Sequence, residues 1–335
     1  MHARKPIAAW LLACCALVFA MVVVGGITRL AHSGLSIVEW QPVVGAVPPL
    51  DDSSWQEAFR QYQQTPEFRV VNPAMDLAGF KRIFWWEYAH RLLGRVIGAA
   101  FLLPFLWFAA RGRIPRELSW KLAAIFALGA LQGAMGWYMV KSGLVDDPRV
   151  SQYRLTAHLG FALLIYAAML WIALDLLLPP AAATDVRGPR RFALALAALV
   201  FAMALSGGLV AGTRAGLAYN TFPLMNGYVV PPGMFALEPW YLNFFANVTT
   251  VQFDHRLIAW LLAFLAPWFW LRVRRSAAPR PARIAADLLL AALALQISLG
   301  IATLLNAVLL PLAAAHQAGA LLVFTCALLA ARALR

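Results

Sequence analysis

Charged residues are scarce in this chain of 335 residues: only 13% are Asp, Glu, Lys or Arg, whereas 62% are hydrophobic. Soluble domains carry about a quarter of their residues as charged side chains, so a soluble globular fold is excluded. Apolar runs recur that are long enough to cross the roughly 30 Å of bilayer hydrocarbon. The composition therefore predicts a polytopic membrane protein.

Cysteine is also rare, and Cys14, Cys15 and Cys326 all lie inside apolar runs. Because none lies in a predicted loop, we expect neither a disulfide nor a metal site built from cysteine. A zinc site would need further Cys, His or carboxylate ligands, which are scarce in the apolar runs.

Acidic residues are too few to balance the basic ones, and the formal net charge is +13. The excess follows alternate loops, as the positive-inside rule predicts, so a nucleic-acid partner is not expected. With both termini in the cytoplasm, the cytoplasmic segments collect Arg4, Lys5, Arg111, Arg113, Arg116, Arg187, Arg190, Arg191, Arg272, Arg274, Arg275, Arg280, Arg283, Arg332 and Arg335. This pattern predicts a bacterial cytoplasmic (inner) membrane protein without a cytoplasmic catalytic domain.

Eight apolar runs predict an all-α fold of eight transmembrane helices. Their predicted bounds are 7–27, 84–108, 119–140, 154–177, 191–211, 249–271, 283–304 and 308–331. In the long first outer loop, Ser54-Trp55-Gln56-Glu57 matches a capping box, and Trp55, Phe59 and Tyr62 follow at helical spacing. We expect a short amphipathic helix there.

The two halves of the chain repeat the same motifs in the same order. The matched segments are Gly25-Gly26 and Gly207-Gly208, Gly34-Leu35-Ser36 and Gly216-Leu217-Ala218, His90-Arg91-Leu92 and His255-Arg256-Leu257, Gln132-Gly133 and Gln296-Ile297, and Ala157-His158 and Ala315-His316. We therefore predict two tandem, pseudo-symmetric four-helix bundles, residues 1–178 and 179–335, that face the same way in the membrane.

Four of the six histidines, His90, His158, His255 and His316, open the even-numbered predicted helices. These helices all run inwards, so the four imidazoles lie at one depth, within about two turns of the outer surface. A lone membrane histidine is commonly a helix contact, whereas two at matched depth in each half indicate axial ligation of haem iron. The arginines on the same side can bind haem propionates or extend to the membrane surface; they are Arg29, Arg91, Arg95, Arg154, Arg214 and Arg256.

The halves differ at Glu87, one helical turn before His90, because Gln252 holds the equivalent place before His255. An ionisable group at mid-membrane costs about 2.5–3.5 kcal/mol by insertion scales, which makes Glu87 a candidate functional residue. A carboxylate beside a haem ligand can move protons, and an amide cannot. Alternatively, Glu87 pairs with an arginine at the interface. The asymmetry predicts a reactive first half and an electron-relaying or structural haem in the second.

Several long motifs make nearly the whole chain resemble the haem A synthase family, in its mitochondrial and proteobacterial branch. They are Gly25-Gly26-Ile27-Thr28-Arg29-Leu30, Ser33-Gly34-Leu35-Ser36, Trp40-Gln41-Pro42, Glu87-x-x-His90-Arg91, Gln132-Gly133-x-x-Gly136, Arg154-Leu155-x-x-His158, Ala218-Tyr219-Asn220-Thr221, Gln252-Phe253-Asp254-His255-Arg256 and His316-Gln317. Two features depart from the family: the loop cysteine pairs of its Gram-positive branch are absent, and Ala246 stands where an acidic residue is expected.

The resemblance implies oxidation of the C8 methyl group of haem O to a formyl group, through a hydroxymethyl intermediate, to give haem A for terminal oxidases. It implies that His90 and His158 hold the substrate haem, with Glu87 as the essential carboxylate. His255 and His316 would hold a resident haem b. Arg91 and Arg256 would contribute to haem binding. Expected partners are the farnesyltransferase that makes haem O, oxidase assembly factors, an unidentified electron donor and a second copy of the chain.

Two other functions fit part of the pattern. A quinol-linked di-haem b cytochrome would use the same histidine pairs, although stacked ligands would place haems near both membrane surfaces. A transporter built on parallel repeats would need polar residues or broken helices within the membrane, which the predicted spans nearly lack. Bound haem without product chemistry would favour the cytochrome, and no haem at all would favour the transporter.

Overall fold

The computed structural model describes residues 4–40, 44–144, 150–178 and 186–335. Within these ranges the chain is helical, and one isolated bridge joins Met225 to Tyr228. The α-helices are α1 Arg4–Leu30, α2 Asp52–Gln63, α3 Pro66–Val71, α4 Leu77–Ala110, α5 Arg116–Gly143, α6 Gln152–Leu177, α7 Arg187–Thr213, α8 Asn243–Ala246, α9 Val248–Arg274, α10 Arg280–Leu305 and α11 Leu310–Ala333. Gln41 and Pro42 of the predicted family motif lie outside the described residues.

Eight of the described helices are long and apolar enough to span a membrane: α1, α4, α5, α6, α7, α9, α10 and α11. They confirm the eight predicted spans. The largest difference is at α4, which begins at Leu77 because the carboxylate of Asp76 accepts a hydrogen bond from the N–H of Gly79 at 2.7 Å. His90 therefore lies about three and a half turns into a continuous helix, and the prediction that it lies in the first turns was wrong.

The amphipathic helix expected in the first outer segment is α2, and its start differs from the prediction. Asp51, not Ser54, is the N-cap: its Oδ1 accepts a hydrogen bond from the N–H of Ser54 at 2.8 Å. Trp55 and Tyr62 of this helix are buried, and the ring centroids of Trp55 and Phe84 lie 4.9 Å apart. The apolar face of α2 thus packs on the outer part of α4.

The membrane helices contact one another in two sets of four. In the first half, α1 packs against α4 and α6, and α5 packs against the same two helices. In the second half, α7 packs against α9 and α11, and α10 packs against those two. Contacts of α6 with α7, and of α11 with α1 and α6, join the halves. The division into pseudo-symmetric bundles, 1–178 and 179–335, stays a prediction.

The second glycine of each matched pair lies where the halves meet. Gly26 of α1 packs against the side chain of Gln317 in α11, whose Nε2 donates to the carbonyl oxygen of Val22 at 2.9 Å. Gly208 of α7 packs against Thr156 of α6, whose Oγ1 is 2.9 Å from the position that a Cβ would take. A Cβ at Gly208 would crowd the backbone of Thr156, whereas at Gly26 it would displace the flexible end of Gln317.

Candidate functional site

The four membrane histidines form two facing pairs. His90 of α4 and His158 of α6 lie within electrostatic range of each other, and so do His255 of α9 and His316 of α11. Each pair comes from two helices of the same half. The structure therefore brings together the residues that the repeated motifs had grouped.

Each imidazole packs against a glycine of a neighbouring helix. The distances from the ring Cε1 to the position that a glycine Cβ would take are 2.9 Å for His90 and Gly25, 3.2 Å for His158 and Gly136, 3.4 Å for His255 and Gly207, and 2.8 Å for His316 and Gly300. Glycine at residues 25, 136 and 300 thus makes room for a ring. At Gly207 an added Cβ would meet His255 at an ordinary contact distance.

The ring nitrogens test whether these pairs fit a haem. The Nδ1 atoms of His90, His158 and His316 are buried without a hydrogen-bond partner in the described residues. The Nδ1 of His255 lies 2.8 Å from the hydroxyl of Ser206. Iron would bind one nitrogen of each imidazole and leave the other for a hydrogen bond, as the hydroxyl of Ser206 provides at Nδ1 of His255. Two imidazoles from facing helices are the ligands that a six-coordinate haem iron takes, and the residues present fit that group.

The carboxylate of Glu87 is almost completely buried, with 3% of the side chain exposed, and accepts four hydrogen bonds. Its Oε1 accepts from Nε and Nη2 of Arg91, at 3.0 and 2.6 Å. Its Oε2 accepts from the hydroxyl of Ser36 at 2.7 Å and from the N–H of Ile37 at 2.8 Å. Both carboxylate oxygens are thus occupied by charged or polar donors. Glu87 thus pairs with an arginine and also lies one turn from His90.

Arg91 and Arg256 make the same bonds in the two halves. The Nη2 of Arg91 donates to the carbonyl oxygen of Ile37 at 2.7 Å, and that of Arg256 to the carbonyl oxygen of Tyr219 at 2.8 Å. In each case Nη1 donates to a second carbonyl oxygen two residues later, at 3.0 and 2.9 Å. Both arginines therefore fasten the segment that follows the first helix of their half.

The second half lacks the carboxylate and also the hydroxyl that binds it. Gln252 is buried, its Nε2 donates to the carbonyl oxygen of Tyr219 at 3.2 Å, and its Oε1 has no partner in the described chain. Ala218 stands where the first half has Ser36. The sequence analysis did not identify Ser36 as a site residue. A signal was present, because the second half replaces both Glu87 and Ser36, by Gln252 and Ala218.

The other arginines singled out in the sequence occupy different surroundings. Arg29 lies in the last turn of α1, and Arg95 lies one turn after Arg91 in α4. The guanidinium of Arg154 lies 4.8 Å from the ring centroid of Tyr138. Arg214 caps α7 with a left-handed backbone conformation, at φ 57°. Their predicted role as propionate ligands stays a prediction.

Comparisons with known proteins cover nearly the whole chain. A family profile described as cytochrome oxidase assembly protein matches residues 8–328. A protein named Heme A synthase from Nitrosospira multiformis is 66% identical over 328 residues, 97% of this chain and 92% of the relative. Proteins of the same name from Nitrosomonas eutropha and Parvibaculum lavamentivorans are 59% and 50% identical, over 99% and 96% of this chain and 94% and 92% of each relative. The range that the family profile matches contains Glu87 and all four membrane histidines.

Proposed function

Since this chain belongs to the cytochrome oxidase assembly protein family, we propose a division of labour between its two halves. Its activity is that of the haem A synthases to which it is similar: it is an oxidoreductase that converts haem O to haem A. The function that the sequence motifs predicted is thereby confirmed. Its eight apolar helices make it a multi-pass membrane protein.

In our proposal, residues 1–178 bind the substrate and residues 179–335 bind a resident cofactor. His90 and His158 hold haem O, while His255 and His316 hold haem b, which supplies electron transfer when bound. The facing histidine pairs support two haem sites. The single observation that assigns the reaction to the first half is the buried carboxylate of Glu87, which the second half replaces by an amide.

Glu87 and His90 are the proposed catalytic residues. Glu87 orders the first outer segment, because it accepts bonds from Ser36 and Ile37. It can also take up a proton at Oε2, since the hydroxyl of Ser36 has a second acceptor in the carbonyl oxygen of Ser33, at 3.1 Å, and can turn towards it. Gln252 offers no oxygen with this capacity, because an amide oxygen is far too weak a base to take up a proton.

We further propose that the protein lies in the bacterial cytoplasmic membrane with both termini in the cytoplasm. The arginines and lysines of alternate loops support this orientation. Its proposed partners are the farnesyltransferase that supplies haem O, oxidase assembly factors, an electron donor and a second copy of the chain.

Haem extraction with mass identification tests this proposal on protein purified from cells that also make haem O. We expect haem A or its hydroxylated precursor, together with haem b. The matched control is His90→Ala, which should retain haem b alone. Haem b alone in the wild-type protein, despite abundant haem O, would overturn the proposed substrate site.

A further inference from the structure

A second carboxyl group is buried near Glu87, and the function proposed above does not use it. Glu67, in α3, is 5% exposed, although Arg69 and Val70 of the same short helix are exposed. Its Oε2 is buried without a hydrogen-bond partner in the described ranges. The first outer segment therefore directs one acid into the protein.

Arg29, at the end of α1, has a matching unsatisfied donor. Its Nε is buried without a partner among the residues that the structure describes, and its Nη2 makes only a long bond of 3.4 Å to the carbonyl oxygen of Ala211. Arg29 lies within electrostatic range of Glu67, yet no ion pair joins the two in the described chain. A buried guanidinium and a buried carboxyl group that interact without pairing indicate a polar group between them.

The two groups lie about one helical turn outward from the first histidine pair. Gly25, which contacts the ring of His90, precedes Arg29 by four residues on α1, a rise of about 6 Å. Glu87, which lies within electrostatic range of Glu67, precedes His90 by three residues on α4. The space between Glu67 and Arg29 is thus next to the proposed substrate site, on its outer side.

The charges in this region favour an anion. Burial, followed by the negative charge of Glu87, raises the pKa of Glu67 to about 8, against the opposing effect of Arg29. Glu67 is therefore mostly protonated at neutral pH and can donate a hydrogen bond. Arg29 also lies within range of the positive charge of Arg214. An anionic group that accepts hydrogen bonds fits beside a protonated carboxyl and a guanidinium.

We propose that Glu67 and Arg29 bind a carboxylate of the substrate, namely a haem propionate. Arg29 Nε donates to one propionate oxygen and the protonated carboxyl of Glu67 donates to the other. The inference rests on the proposed placement of the substrate at His90 and His158. In the second half, Ala211 holds the position equivalent to Arg29, so this carboxylate site belongs to the substrate half alone.

Optical titration tests the site on protein purified from cells that cannot make haem O. The probes are iron protoporphyrin and its dimethyl ester, which lacks the propionate charges. Binding of a probe to the first half is measured as the uptake by the wild-type protein that is lost in His90→Ala. We expect the wild-type protein to bind the free acid at least about tenfold more tightly than the ester, since hydrogen bonds to charged groups have this strength.

Three variants assign that preference to residues, and two further variants are controls. Glu67→Leu and Arg29→Gln should each lower it about tenfold. Glu67→Gln should keep most of it, because an amide also donates a hydrogen bond. Glu57→Leu and Arg69→Gln, on the exposed surface of the same segment, are matched controls that should leave it unchanged. An unchanged resident haem spectrum verifies folding of each variant.

A full preference for the free acid in Glu67→Leu would overturn the inference. So would tighter binding of the acid by Glu67→Gln, because Glu67 would then be an anion that repels the propionate. If Glu67→Leu does not fold, Arg29→Gln tests the same site from α1. A full preference for the free acid in Arg29→Gln would likewise overturn the inference. Equal uptake of acid and ester by the wild-type protein would reject this site alone. Absence of any uptake that depends on His90 would reject the proposed substrate site as well.

Discussion

The two halves share their histidines, glycines and clamping arginines, but they differ beside the first histidine of each. Arg91 and Arg256 donate to equivalent backbone carbonyl oxygens in both halves. Only the first half adds the buried carboxylate of Glu87 and the hydroxyl of Ser36 that donates to it. The arginine clamp therefore serves the fold of either half, whereas in our proposal the carboxylate and hydroxyl serve the reaction assigned to the first half.

A second difference concerns how each histidine ring is held. The hydroxyl of Ser206 donates to the carbonyl oxygen of Met203 at 2.8 Å, so its oxygen is left to accept from Nδ1–H of His255. That bond fixes the tautomer and leaves Nε2 of His255 for iron. Val24 holds the place equivalent to Ser206 beside His90. A fixed ring suits a permanent haem, and a ring without this bond suits a substrate that must enter and leave.

Removal of one histidine from each half should have the largest effect, because each variant should lose a different haem. His255→Ala should lose nearly all of the resident haem b, because one axial ligand is gone. His90→Ala should keep haem b and lose haem O and haem A. Extraction and mass analysis of the bound haems measure both. Unchanged haem b content in His255→Ala would contradict the assignment of the resident site.

Glu87→Gln gives the first half the amide that the second half has at the equivalent position, Gln252. This substitution should have the next largest effect. We expect the haems to stay bound while haem A formation falls at least about 100-fold, since an amide takes up no proton. The reciprocal control is Gln252→Glu, where Arg256 lies one turn away to pair with the new carboxylate. That variant should retain haem A formation. Unaltered haem A output in Glu87→Gln would reject the role given to the carboxylate.

Alanine at the two ring-contacting glycines should affect the halves unequally. A Cβ at Gly25 would lie 2.9 Å from Cε1 of His90, so the ring must move, whereas at Gly207 the distance to His255 is an ordinary 3.4 Å. Gly25→Ala should lower haem A formation about tenfold, as overpacking does, and Gly207→Ala should retain haem b. Gly98→Ala is the control, because no described atom lies within 4 Å of its added Cβ. Equal effects at both positions would show that ring contact does not distinguish the halves.

Hydropathy and repetition predicted the membrane helices and the histidine pairs, because both signals are local or recur at matched positions. The start of α4 was not predicted. Lys81 and Arg82 lie among its first residues and indicate a loop, and the helix extends through them because Asp76 caps it and α2 packs on it. Local charge was thus overridden by tertiary packing.

The polar contacts of the site could not be predicted in the same way. The bond of Ser36 to Glu87 joins residues 51 positions apart, and that of Ser206 to His255 joins residues 49 apart, so neither follows from helical spacing. The burial of Glu67 arises from how α3 packs, in a segment whose composition is polar. Sequence supplied the candidate residues, while the hydrogen-bond partners that surround them required the fold.

The smallest effect should come from Ser206→Ala, which makes the resident histidine resemble His90. A hydrogen bond from Nδ1–H makes an imidazole a stronger donor to iron, so its loss should raise the reduction potential of haem b. The haem should remain bound, since a single hydrogen bond contributes only about 1 kcal/mol. Redox titration of the haem b spectrum measures the shift. Val24→Ser, at the equivalent place in the first half, should leave that potential unchanged. If Ser206→Ala also leaves it unchanged, the bond to His255 does not tune the resident haem, and this second difference between the halves has no effect on the cofactor.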